Sequence, residues 1–296
     1  MNAARLRGWA AWGARRGPDW FVRSAPVAIG IVAYLVAGRA RGAVLSNLRR
    51  IYGPREPQQE ILQSVRTFTA FARNLTEALC PERFAPKARM VVRGKARVLS
   101  LLDSTGLIIV TAHVGPWDSS AMELGRDLDR PVLMLLAEEA DERAASIQDE
   151  VRASQNVQVL RLGSSPFSAL RVAEHLAARG VVVAQMDRFS AGQKSVDGRL
   201  FGQPFAVTAG LTRLAAACGC PLVPVFSARM EGGARLVQVG NPIRVQLHPK
   251  PLDLKNAVQA YLDQLEQHLR QFPTQWFHFV SDPVLTSATE DDCGVS

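Results

Sequence analysis

Residues 106–118 read GLIIVTAHVGPWD. The run from Gly106 to Ala112 is apolar and of strand length, and it stops at a histidine followed by turn residues. Gly115 permits a tight turn, Pro116 suits the first position of a helix, and Asp118 suits that helix's first turn, where negative charge is favoured. The stretch therefore predicts a strand, a corner and a helix, with His113 at the corner. On one continuous helix, residues five apart lie about 140° around the axis and do not face each other. Across a corner, His113 and Asp118 can approach. A carboxylate on one ring nitrogen would fix the tautomer and leave the other nitrogen as a general base, facing the crevice at the carboxyl ends of the strands. Backbone amides around Gly115–Trp117 would lie beside it, placed for an anionic intermediate. The same residue types also suit a purely structural corner, with His113 ending a strand and Asp118 capping a helix.

Outward from this corner the pattern repeats. Apolar runs of strand length occur at 131–137, 157–162, 181–186 and 221–226, separated by helix-like stretches around 118–128, 142–154, 167–179 and 208–218. Buried strands alternating with helices predict an α/β domain with a central, mostly parallel sheet flanked by helices. ARMEGGARLVQVG (228–240) predicts a hairpin turning at Gly232-Gly233, and a helix is expected from Leu254 to Arg270. Upstream, Ile61, Val65, Phe68, Ala72, Leu75 and Leu79 make an amphipathic stripe over 57–80. The expected organisation is a basic, helical membrane-anchoring segment over 1–85, the α/β domain over 86–284, and a polar, disordered tail over 285–296.

Charge divides the chain unevenly. The net charge is +8, yet residues 1–50 hold nine arginines and a single acid, Asp19, so the remainder balances to zero. Within that arm SAPVAIGIVAYLVAG (24–38) is uncharged and follows Trp9, Trp12, Trp20 and Phe21. Arginines and tryptophans around an apolar run suit a water–lipid interface at an anionic leaflet, and nucleic acid is not an expected partner. The run is shorter than the about 18–20 residues of a spanning helix, so an interfacial or shallow anchor is expected. A cleaved signal and an ordinary buried helix are the alternatives. Cys80, Cys218, Cys220 and Cys293 are scattered, with no C-x-x-C pair and no histidine at ligand spacing, so neither a metal site nor a disulfide framework is expected. No G-x-S-x-G, G-x-x-x-x-G-K-[ST] or G-x-G-x-x-G motif is present, which disfavours a serine hydrolase and nucleotide cofactors.

TAHVGPWD (111–118) resembles the His-x4-Asp/Glu block of the glycerolipid acyltransferase superfamily. VVVAQMDRFSAG (181–192), Leu200-Phe201-Gly202, Val207-Thr208-Ala209-Gly210 and PLVPVF (221–226) are similar to blocks of the bacterial lipid A late acyltransferases and the mycobacterial phosphatidylinositol mannoside acyltransferases. VLSNLRRIYG (44–53) is similar to their membrane-proximal N-L-R-R element, and PTQWFHF (273–279) to their closing P-x-Q-W segment. The blocks follow in order over roughly residues 20–280.

The resemblance implies His113 as catalytic base and Asp118 as its orienting carboxylate. It implies Asp187 and Arg188 as an acidic–basic pair lining an acceptor pocket, with Gly115, Trp117, Phe201, Gly202 and Thr208 also on the substrate side. Glu138 and Arg152 fall near a Glu and an Arg of the mannoside branch. The implied activity is O- or N-acyl transfer to a lipid acceptor at the cytoplasmic face of the bacterial inner membrane. The implied co-substrate is an acyl carrier protein or coenzyme A thioester, with no bound cofactor. An F-P-E-G-T-R phosphate-binding block is missing, which points away from a simple glycerol phosphate acceptor and towards a bulkier one. A membrane-associated lipid-binding protein that keeps this fold without turnover is the rival expectation.

Overall fold

The computed structural model describes residues 3–84, 89–118, 120, 130–137, 149, 152–153, 157–162, 168–188 and 194–280. The helix-like stretches expected around 118–128 and 142–154, and the tail beyond 284, fall largely or wholly outside these residues.

The chain begins with a helical arm: α1 (Ala3–Arg16), α2 (Asp19–Val36), α3 (Gly38–Tyr52), α4 (Pro57–Leu79) and the single turn α5 (Pro81–Phe84). Of the stripe on α4, Phe68, Ala72 and Leu79 are buried and Val65 and Leu75 half-buried, whereas Ile61 at its start is exposed. Helix α2 lies on α4 through Val22, Pro26 and Gly30, each one turn beyond the last. Gly30 is required there: a Cβ would come within 2.6 Å of Thr69 Cα, so the two backbones meet without an intervening side chain. Trp20, Ile29, Val32, Leu35 and Val36 of α2 are exposed. At 18 residues with few charges, α2 is long and apolar enough to be a candidate membrane anchor, and it starts earlier than the run 24–38 indicates. Glu77 of α4 fastens the arm to the remainder of the fold, accepting Arg229 Nη2 at 2.6 Å.

The rest is the expected α/β architecture. A seven-stranded sheet has the order β1-β9-β8-β2-β5-β3-β4, comprising β1 (Met90–Arg93), β2 (Leu107–Thr111), β3 (Val132–Ala137), β4 (Val157–Leu162), β5 (Val181–Gln185), β8 (Leu222–Arg229) and β9 (Arg235–Val239). Every neighbouring pair is parallel except β8 with β9, the hairpin that turns at Glu231–Gly233. All five residues of β2 are buried, as in a strand covered on both faces. Ile108 and Val110 point to one core with α7 (Ser168–Ala177), α8 (Gly210–Cys218) and α9 (Pro251–Gln271), whereas Leu107 and Ile109 face Val98 and Leu102 of α6 (Lys95–Leu102).

A separate antiparallel hairpin, β6 (Ser195–Leu200) with β7 (Gln203–Thr208), has no counterpart in the sequence reading. It packs on α9. Its turn is Phe201-Gly202, with φ of 54° and 74°, the two positive values of a type I′ two-residue hairpin turn.

Gly30→Leu cannot be accommodated without separating α2 from α4. Trypsin is expected to cut the variant at Arg23 or Arg39 faster than the wild type, while β-sheet circular dichroism is retained; an unchanged cutting rate would contradict this packing.

Candidate active site

Strands β2 and β5 are hydrogen-bonded neighbours in parallel register, and their last residues, Thr111 and Gln185, are partners. Two residues past each strand end stand His113 and Asp187. Register alone therefore brings together side chains 74 positions apart in sequence. His113 Nδ1 lies 2.7 Å from Asp187 Oδ1, and the His113 amide donates to Oδ2 at 3.1 Å. The indole Nε1–H of Trp276 donates to the same Oδ2 at 3.0 Å. The Asp187 side chain is fully enclosed, while that of His113 keeps 23% of its surface open, so a substrate can reach the ring but not its carboxylate.

Burial alone would raise the Asp187 carboxyl; the His113 ring overrides it by charge and hydrogen bond, with help from His278 and Arg188, and holds it well below the usual carboxylate range. Asp187 is thus an acceptor only, which puts the ring proton of neutral His113 on Nδ1 and leaves Nε2 with its lone pair. His278, in the same cluster, is pulled down to about 4 by burial, against the attraction of Asp187, and is neutral at pH 7. Its Nε2 lies 3.2 Å from the Asp187 carbonyl.

The carboxylate on the His113 ring is therefore Asp187, where the sequence reading expected Asp118. Asp118 turns instead to Arg152, which grips it through Nε at 3.1 Å and Nη2 at 2.9 Å. Both side chains are nearly enclosed, and Arg152 also reaches Asp149, which in turn pairs with Arg161 of β4. Burial would lower the Arg152 guanidinium, but Asp118 and Asp149 raise it. The physical reason for the correction lies in the competition for Asp118: a bidentate guanidinium outbids a single imidazole N–H for a buried carboxylate. Trp117 stands between the two pairs, its ring 6.5 Å from His113 and 6.0 Å from the Arg152 guanidinium.

Gly115 has a structural duty. Its φ is +53°, and a Cβ there would collide with the Ser227 carbonyl of β8. Its amide donates to Gln275 O at 2.9 Å, so it is not one of the spare donors expected at this corner. Arg188 follows Asp187 directly and donates to the Phe277 carbonyl; its Nε has no partner among the described residues.

The remaining expected site residues lie elsewhere. The Phe201 amide donates to Glu266 of α9 at 2.6 Å, and Arg270 lies over the Phe201 ring. A phenylalanine at positive φ costs about 1–2 kcal/mol, and these contacts to α9 offset it. Thr208 accepts the Gly210 amide at 3.3 Å, at the start of α8. Glu138 lies outside the described residues. Among the described residues no cluster of histidine, cysteine and acidic groups is arranged to hold a metal ion.

Two sequence elements that carried no chemistry on their own converge here. Gln275 and Trp276 of PTQWFHF lie against the 113–115 corner: Phe277 N donates to His113 O at 2.7 Å, and Val114 bridges Trp276. From the N-L-R-R element, Asn47 donates to the His278 carbonyl at 2.7 Å, and Arg50 donates to Pro204 O at 2.8 Å with its guanidinium over Phe205.

A family model described as bacterial lipid A biosynthesis acyltransferase matches residues 7–281, nearly the whole chain. No curated protein matches it.

Breaking a buried ion pair by removing one partner costs about 3–5 kcal/mol. Asp118→Asn and Arg152→Met are each expected to destabilise the protein towards urea. The double variant should lose less than the sum of the two, with a coupling of about 1–3 kcal/mol. Additive losses would show that the two side chains do not act as a pair.

Proposed function

The chain belongs to the bacterial lipid A biosynthesis acyltransferase family, and from that premise we propose that it moves a fatty acyl chain from an acyl thioester to a hydroxyl or amine of a membrane-borne lipid. The observation that carries the reading is the His113–Asp187 pair: a partly open imidazole whose Nδ1–H is held by a sealed carboxylate.

The step follows from that geometry. His113 Nε2 takes the proton of the acceptor as its oxygen or nitrogen attacks the thioester carbonyl carbon. Asp187 stabilises the imidazolium so formed without itself taking the proton. The tetrahedral adduct collapses with breakage of the carbon–sulfur bond, and the imidazolium returns its proton to the leaving thiolate. The products are the acylated lipid and the free thiol of the donor, and no acyl-enzyme forms. Arg188, which follows Asp187 and donates to the Phe277 carbonyl, is the cation assigned to the developing oxyanion in this reading. The donor is an acyl carrier protein or coenzyme A thioester. The acceptor is a lipid A precursor or another bulky glycolipid or aminolipid, in keeping with the lack of a phosphate-binding block.

The arm supports a membrane location at the cytoplasmic face of the inner membrane. On α2 the exposed Ile29, Val32, Leu35 and Val36 sit between exposed Arg23 and Arg39, a pattern suited to the boundary of an anionic leaflet. A chain of rings leads inward from this helix: Tyr34 to Phe68 at 5.9 Å, Phe68 to Phe279 at 5.1 Å, Phe279 to Phe71 at 4.9 Å and Phe71 to Phe277 at 5.5 Å. Phe277 is hydrogen-bonded to the His113 backbone. An acceptor anchored in the bilayer would meet His113 without leaving it.

His113→Ala is expected to abolish incorporation of labelled acyl groups into membrane lipid while the protein remains folded and membrane-bound. Asp187→Asn is expected to lower the rate about 10²–10⁴-fold, as loss of a base's orienting carboxylate does. Undiminished incorporation by His113→Ala would refute the proposal.

A further inference from the structure

The orientation of Asp187 depends on groups outside the strands that carry the dyad, and one of them is a tryptophan. Among the described residues the carboxylate receives three donors: the His113 ring on Oδ1, and the His113 amide and the Trp276 indole on Oδ2. A carboxylate can turn about its last side-chain bond, and donors on both oxygens stop that turn. The two donors from His113 move with the residue that needs orienting. Among the described residues, Trp276 alone brings a donor from an independent part of the chain.

That part is itself fixed at several points. Gln275 bonds the Arg229 backbone twice, its Oε1 accepting the amide and its Nε2 donating to the carbonyl, both at 2.8 Å. The backbone pairs with the corner on either side of Trp276, through Gln275 O to Gly115 N and Phe277 N to His113 O. The indole is buried against the rings of Phe205 and His278, at 5.9 and 5.2 Å, and His278 bonds both the Asp187 carbonyl and Asn47 of α3. The N–H is therefore delivered to Oδ2 by a surrounding that has no freedom to follow the carboxylate if it turns.

The geometry points to Trp276 as a positioning residue for the acyl-transfer site: its indole N–H locks Asp187 so that Oδ1 faces His113 Nδ1, and it draws negative charge towards Oδ2. This rests on the reading of His113 as the base. Without that N–H the carboxylate interacts more strongly with an imidazolium and is free to rotate. The first effect makes His113 easier to protonate; the second costs turnover without weakening lipid binding.

The test compares the full-length wild type with Trp276→Phe, which keeps an aromatic ring in the pocket and lacks the donor. A second variant, carrying the benzothienyl analogue of tryptophan at 276, keeps the bicyclic shape and replaces N–H by sulfur, and it serves if the phenylalanine variant does not fold. The titration of the His113 ring, followed by NMR, is expected to move upward by about half a unit to one unit in either variant. With an acyl thioester donor and lipid acceptor in mixed micelles, kcat is expected to fall about 10–100-fold while KM stays within about threefold. The acid limb of the kcat/KM profile should move upward with the ring. A His113 titration that stays in place, with only the melting temperature lowered, would show Trp276 to be packing alone and overturn the inference. If the wild type transfers no acyl group, the proposed function fails, and the NMR titration still decides the role of Trp276.

Discussion

The parallel pairing of β2 with β5 is the constraint from which the site follows. Hydrogen bonding from Leu107 with Val181 to Thr111 with Gln185 ends both strands at one level, so the residues that leave the sheet next are neighbours. His113 and Asp187 inherit that adjacency, and the buried apolar side chains of both strands hold it. A shift of one residue in the pairing would turn one of the two side chains away. The chemistry proposed here thus draws on the stability of the whole sheet, because β2 and β5 lie at its middle and are covered on both faces.

Around this pair the chain closes from both ends. The C-terminal segment 275–278 bonds the corner, the carboxylate and the end of β8, and α3 of the arm bonds that segment in turn through Asn47. The arm therefore bears on the site. Its exposed apolar face lies on α2, and its inner side reaches the shell of the site through Asn47, Arg50 and the Phe68–Phe71 rings. The exposed apolar face of α2 and the geometry of Asp187 share one set of packed side chains.

Much of this was legible in sequence because it is local. The apolar runs gave the main strands, Gly232-Gly233 gave the hairpin turn, and the stripe on 57–80 gave α4. His113 stood out because a strongly apolar run ends at it and turn residues follow at once. The carboxylate did not, because Asp118 is near in sequence whereas Asp187 is near only once β5 is known to lie beside β2, with β3 and β4 beyond it. The partner of Asp118 was hidden for the same reason: Arg152 resembles any solvated helical arginine until its burial is seen. Phe201-Gly202 resembled a substrate block, yet its backbone supplies the turn of a hairpin whose short polar strands carry little periodic signal. The closing P-x-Q-W and N-L-R-R elements were recognisable as patterns. Their purpose, gripping Asp187 and the segment that holds it, is a property of tertiary contact alone.

The central claim is that Asp187, and not Asp118, holds the Nδ1 proton of His113. An N–H held between imidazole and a buried carboxylate gives a proton resonance far downfield, in a region clear of ordinary amides, and the His113 signal is assigned by its loss in His113→Gln. Proton NMR of the full-length protein is predicted to show this resonance in the wild type and in Asp118→Asn, and to lack it in Asp187→Asn. A resonance that survives Asp187→Asn and vanishes in Asp118→Asn would contradict the account.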